Sequence, residues 1–391
     1  SPSALAPTGR TQMRHALRLC NAAALRLPAA AHLLPAASGA TRSHSAAAYV
    51  QNNDRNFPDI TVEFRAAAPG SLPDPFALVQ PQLRPLDSSI RELVGTDHPV
   101  LAAAAHHFFE RAGKRFRPTL VLLSSAAAAG GDPADARQQR LAEITEMIHA
   151  ASLLHDDVID VADTRRGAKT AHRIYGNKVA VLAGDFLLAR ASLLLARLKD
   201  VQVVELLATV IEEMVQGEMM QVRALPQQLL EFEHYVDKTY RKTAALMSLS
   251  CEAAVLLGGK PPDHAEALRA YGRHLGIAYQ VVDDMLDFTG SAESLGKPAL
   301  SDMQQGLATA PTLFAADQFP QIREMITRRF AEEGDVATVS ELVAQSDGMR
   351  LSAELATSHA QKAADALGVL PPSEARDALL HLCFMVLNRS A

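Results

Sequence analysis

From about residue 75 onward, apolar residues recur three and four positions apart, as at Ile144, Met147, Ile148, Ala151, Leu154 and Val158. That spacing places them on one face of an α-helix. Strands are not expected: alternating apolar and polar positions and Asn-Gly or Asp-Gly turns are scarce, and no repeat of fixed period appears. Eleven of the 21 prolines fall in residues 1–100 and none lies between Pro133 and Pro226. Proline breaks helices, so that gap suits long uninterrupted ones. Residues 54–74 read as a linker, in a proline-rich stretch that runs on to Pro85, and residues 75–391 as one all-α domain.

Composition narrows the function classes. The 48% hydrophobic fraction is ample for a core, yet no stretch reaches 18 uncharged apolar residues, so no transmembrane segment is expected. Cys20, Cys251 and Cys383 are too few for a disulfide framework, and none sits in a zinc-type spacing. With 5% aromatic residues and no tryptophan, stacking surfaces for nucleic acid are not indicated. The net charge of −6 averages two unlike regions. Residues 1–53 hold Arg10, Arg14, Arg18, Arg26 and Arg42 with no acidic residue, a charge of +5 that leaves −11 on the rest. This Ala-, Leu- and Ser-rich segment, with arginines at helical spacing, has the composition of an organelle-import presequence. Met13 is a candidate start, cleavage is expected between Arg42 and Ser45, and the expected destination is the mitochondrion, with the plastid as the alternative.

The chemistry concentrates in two segments. Leu153-Leu154-His155-Asp156-Asp157-Val158-Ile159-Asp160 ends the strongest helical pattern. On a helix Asp156 and Asp160 lie one turn apart, ~6 Å along the axis. Like charges at that spacing cost an isolated helix roughly 0.2–0.5 kcal/mol, which a bound cation would reverse. Mg²⁺ takes one or two carboxylates, keeps water and shares its shell with phosphate oxygens. A second copy, Gln280-Val281-Val282-Asp283-Asp284-Met285-Leu286-Asp287, begins its aspartates 127 residues later in the same apolar context. Six carboxylates around one cavity call for several divalent ions, and those imply a polyanionic ligand such as a diphosphate. Lys114, Arg117, Arg165, Arg166, Lys242 and Lys297 are the candidate phosphate-binding cations. No GxxxxGK[ST] or GxGxxG loop is present, so a nucleotide crevice is not supported.

This combination resembles the trans-polyprenyl diphosphate synthase family, of the long-chain solanesyl or decaprenyl type. The matching stretches are Gly113 to Pro118, Met147 to Gly167, Gly217 to Gln221, Lys238 to Thr243, Tyr279 to Phe288 and Leu295 to Pro311. The resemblance spans residues 75–391, which it makes the catalytic domain, and implies an isoprenoid-synthase-type helical bundle around a deep central cavity. It implies that Asp156, Asp160 and Asp283 bind Mg²⁺ directly and that Asp157, Asp284 and Asp287 complete the site partly through water. About three Mg²⁺ ions are expected, with Mn²⁺ as a substitute. It further implies that Arg165, Lys242 and Lys297 hold the allylic diphosphate, that Lys114, Arg117, His149 and Arg166 hold isopentenyl diphosphate, and that Thr243 and Gln280 steady the reacting region. The released diphosphate would take the final proton. A homodimer is implied, with a heteromer as the alternative, as are a quinone side chain as the product's use and product release at a membrane surface.

Product length is argued from the wall below the ionising carbon. Ser152, Ala151 and Ile148 lie four, five and eight positions before Asp156, and small side chains there leave a tunnel open, whereas an aromatic would close it. The bland alternative makes Ala151 and Ser152 small residues at a helix contact. The sequence departs from the pattern at Ala112, Leu307 and Ala299 to Asp302, none of them a metal ligand. Other readings are a shorter-chain geranylgeranyl-type synthase, a subunit of a heteromeric synthase, a terpene cyclase and a cation-binding scaffold. The intact second motif argues against the cyclase and against a non-catalytic subunit, and the phosphate-type cations argue against the scaffold.

Overall fold

The proline-free interval folds into three long helices. α1 (Phe116–Ala128) precedes it, and α2 (Ala136–Ile159), α3 (Asn177–Arg197) and α4 (Val201–Arg223) fill it. They are followed by α5 (Phe232–Thr239), a π-helical turn at Tyr240–Ala244, α6 (Ala245–Leu257), α7 (Pro262–Thr289), α8 (Gly348–Ala366) and α9 (Glu374–Leu387). The computed structural model describes residues 72–107, 109, 115–131, 135–165, 167–289 and 300–389. The expected presequence, the linker up to residue 71, and Lys114, Arg166 and Lys297 lie outside the described residues.

Local chemistry sets the helix starts. The Asp135 carboxylate accepts the Arg137 and Gln138 amides at 2.8 and 2.9 Å, satisfying donors that no earlier carbonyl reaches. Asp200 caps α4 through the Val203 amide at 3.2 Å and Ser373 caps α9 through Arg376. Packing then orders the bundle, with α2 against α3 and α7 between α6 and α8. Tyr271 of α7 is wholly buried and donates its hydroxyl to the Leu379 carbonyl of α9 at 2.8 Å, so a polar tip ties two apolar faces together.

The all-α expectation holds, with one local addition. β1 (Thr164–Arg165) and β2 (Ala168–Lys169) form a two-residue antiparallel hairpin directly after the first aspartate motif. A second difference concerns α3, which by length and composition is apolar enough to cross a membrane, its mean hydropathy reaching 1.9. Its sequence carries Asp185 and Arg190 and so escapes a search for uncharged runs. In the fold it packs on α2 and buries Ala180, Ala183, Leu187 and Ala191 while Leu182 and Leu193 stay exposed.

Candidate active site

The first motif occupies the last turn of α2, where Asp157 is buried and Asp156 and Asp160 are half-buried. The chain reverses at Val161, whose φ is 53°, and the hairpin returns Arg165 to the helix. Its Nε donates to Asp157 Oδ1 at 2.8 Å. Asp157 is thereby committed to a protein cation, and Asp156 and Asp160 form the remaining pair one turn apart. Burial pushes Asp156 up to about 6, with Lys242 pulling it down and Glu218 and Asp160 pushing it further up. Burial also raises Asp157, against Arg165, and Asp160, against Lys242.

The second motif sits near the end of α7 and divides in the same way. Asp284 is wholly buried, with Oδ2 accepting the Tyr235 hydroxyl at 2.6 Å and Oδ1 accepting Gln280 Nε2 at 2.8 Å. Burial and the neighbouring Asp302 raise its pKa well above the carboxylate range. Asp287 accepts the Ser301 hydroxyl at 2.9 Å and the Asp302 amide at 3.1 Å. Asp283, 37% exposed, ion-pairs with Arg389, whose guanidinium stacks 4.3 Å above the Tyr279 ring. Among the described residues no three His, Cys, Asp or Glu side chains gather closely enough to share one metal ion. At the first motif Arg165 takes Asp157 and leaves Asp156 and Asp160 as the neighbouring pair. What remains is Asp156 and Asp160, with Asp283 held in a partly exposed ion pair to Arg389 that an incoming cation would have to displace. That set fits a cation that uses one or two carboxylates and fills its shell with water and phosphate.

One stripe of α7 positions the cationic side. At four-residue intervals Gly276, Gln280 and Asp284 face the π-turn and α5. A Cβ on Gly276 would meet Ala244 Cα at 2.6 Å, and one on Gly217 of α4 would meet the Lys242 backbone nitrogen at 2.8 Å. The π-turn is thus wedged between two helices that approach it only through missing side chains. It delivers Lys242, whose Nζ lies 2.5 Å from Glu218 Oε2, and Thr243, whose hydroxyl donates to Gln280 Oε1 at 2.8 Å. Burial alone would lower the Lys242 pKa, but Asp156, Glu218 and Asp160 outweigh it and the pKa is raised.

Three further contacts arrange the start of α1. Arg117 lies 3.1 Å from His149 Nε2, while Arg115, buried and left-handed at φ 51°, bridges Asp87 at 2.5 Å and Glu146 at 2.6 Å. Glu146 and His149 are one turn apart on α2, so they hold residues 115 and 117 like two rungs. Ile148 and Ala151 are fully buried and Ser152 is half-buried, its hydroxyl donating to the His149 carbonyl at 2.9 Å. A cavity of about 20 Å³, room for about one water, opens beside Tyr235, Lys238 and Leu307. Glu218, Tyr235, Arg115, Glu146, Ser301 and Arg389 went unassigned in the sequence. Glu218, Arg115 and Ser301 carried a signal, since all three lie inside the matching stretches.

An all-helical fold that sets two aspartate-rich helix turns beside a half-buried lysine and a hairpin arginine defines a class of enzyme that handles diphosphates. The chain belongs to the polyprenyl synthetase family, whose sequence profile matches residues 98–343. A prenyl transferase of Synechocystis is 49% identical, the alignment covering 80% of this chain and 97% of the relative. Solanesyl diphosphate synthase 3, chloroplastic/mitochondrial, of Arabidopsis thaliana is 45% identical over 81% of this chain and 80% of its own. The crystal structure of a Caulobacter crescentus polyprenyl synthase complexed with calcium and isoprenyl diphosphate superposes with a TM-score of 0.76 at 34% identity, covering 81% of this chain and 97% of that one.

Proposed function

We propose that this chain is a Mg²⁺-dependent prenyltransferase that adds isopentenyl diphosphate repeatedly to an allylic diphosphate, giving a long all-trans polyprenyl diphosphate for a quinone side chain. The observation that carries this reading is the pairing of two aspartate turns with the wedged Lys242–Thr243 turn. Asp156, Asp160 and Asp283 are the residues that would hold Mg²⁺. Asp157, Asp284 and Asp287 support them through Arg165, Tyr235, Gln280 and Ser301. When bound, the ions neutralise the leaving diphosphate and ease ionisation of the allylic C–O bond.

The chain's own groups supply the rest. Lys242, Arg165 and Lys297 bring positive charge to the allylic diphosphate, and Lys114, Arg117, His149 and Arg166 bring it to isopentenyl diphosphate. Thr243 donates its hydroxyl hydrogen bond to Gln280 Oε1, which leaves its oxygen lone pairs facing the reacting region. Ile148, Ala151 and Ser152 form the floor that sets chain length. Asp156→Ala and Asp283→Ala should each cut turnover by orders of magnitude with unchanged helical circular dichroism; a near-normal rate in either variant would refute the assignment.

The protein works in this reading as a homodimer, to which the exposed Leu182, Leu193, Val215 and Met219 of α3 and α4 lend an apolar face. Light scattering on the purified chain decides between one copy and two. Its place is the mitochondrion, supported by the basic leader and by the organelles named for the Arabidopsis relative. Residues 13–50 fused to a reporter should carry it there; a reporter left in the cytosol counts against the leader, and one found in plastids selects the other organelle.

A further inference from the structure

Gly217 and Glu218 are consecutive residues of α4, and both act on Lys242. Gly217 lets the Lys242 backbone approach, and Glu218 takes its ammonium at 2.5 Å. Both side chains of that ion pair are largely enclosed, at 25% and 15% exposure. Asp156 and Asp160 also lie within electrostatic reach of Lys242 and of Glu218. One ammonium therefore faces three carboxylates and is paired with the one that belongs to neither aspartate motif.

We propose that Glu218 is a positioning residue that keeps the Lys242 ammonium off Asp156 and Asp160, so that these carboxylates stay open to a divalent cation. The inference rests on reading Asp156 and Asp160 as metal ligands. A lysine paired directly with either would neutralise a ligand and have to be expelled before the ion could bind. Parked on Glu218, the same lysine stays beside the first motif and keeps its positive charge for an incoming diphosphate. Two features suit such a parking place. The lysine backbone is wedged at the π-turn, which limits where its side chain can swing. Glu218 stands on a different helix from the aspartates, so its carboxylate is independent of them.

The test is Mn²⁺ titrated into the full chain, with the free ion counted by electron paramagnetic resonance, for wild type, Glu218→Gln, Lys242→Met and the double variant. Glu218→Gln should weaken Mn²⁺ binding by about tenfold or more, the scale expected when a cation shifts onto a neighbouring carboxylate. In the Lys242→Met background the same change should have little further effect, because Glu218 acts through the lysine. Wild-type affinity in Glu218→Gln would overturn the proposal. So would an equal loss in both backgrounds, which would mean that Glu218 acts on the ion itself. Should Glu218→Gln fail to fold by circular dichroism, Glu218→Asp carries the test: its shorter reach should weaken binding by less, again only when Lys242 is present, and unchanged binding overturns the idea. Wild-type protein that takes up no Mn²⁺ would overturn the metal-ligand reading as well, whereas wild-type binding with an indifferent Glu218 variant sinks this inference alone.

Discussion

Asp156 and Asp157 are adjacent carboxylates with different fates, set by what each side chain meets. Asp157 meets Arg165 at 2.8 Å, and Asp284 in the second motif meets Tyr235 at 2.6 Å. Tyr235→Phe removes one donor to a buried carboxylate and keeps the ring. It should lower stability by about 1.5–3 kcal/mol in denaturant titrations, the range for a hydrogen bond to a charged group. Arg115→Met should cost more, about 3 kcal/mol or above, because it strands the buried Glu146. The six aspartates were legible in the sequence because their spacing repeats within apolar helices. Which side chains hold Asp157, Asp284 and Asp287 was not, since Arg165, Tyr235 and Ser301 lie 8, 49 and 14 residues from the aspartates they engage.

Helices were readable for the same reason that the hairpin and the π-turn were not. Periodicity over twenty residues marks α2, α3 and α4, whereas two-residue strands and one widened turn leave no period to detect. The π-turn's surroundings make it testable. Gly276→Ala would place a methyl 2.6 Å from Ala244 Cα, so either the turn or α7 must yield. Overpacking of this kind costs about 1–3 kcal/mol. Displacing Lys242 and Thr243 should in addition lower kcat beyond what the melting point explains, as kinetics at a temperature where the variant is folded would reveal. On α2, Ala151→Phe should shorten the product read by chromatography. An unchanged product spectrum would return Ala151 to a plain helix contact, a role its complete burial also suits.

At the scale of the whole chain, the charge pattern has pH consequences. Asp156 has an ordinary value of 3.8 and is pushed up to about 6 in the fold, so the folded state holds its proton more tightly. Its contribution to stability is complete below about 4 and is lost as pH rises through about 6. Asp157, Asp160 and Asp284 move in the same direction. Without metal, Asp156→Asn should therefore raise the melting temperature relative to wild type at pH 8 and have less effect at pH 4; an effect independent of pH would contradict the burial of this charge. Six of the negative charges behind the body's −11 belong to the aspartate motifs, so a modest net charge of −6 conceals a concentrated anionic site. The measurement that bears most directly on the account is incubation of the purified chain with Mg²⁺, isopentenyl diphosphate and farnesyl or geranylgeranyl diphosphate, followed by chromatography of the product alcohols. A long all-trans polyprenol formed only with the metal is the expected product. A geranylgeranyl-length product would move the chain to the short-chain synthases, and no elongation, alone or with a candidate partner subunit, would contradict the central claim.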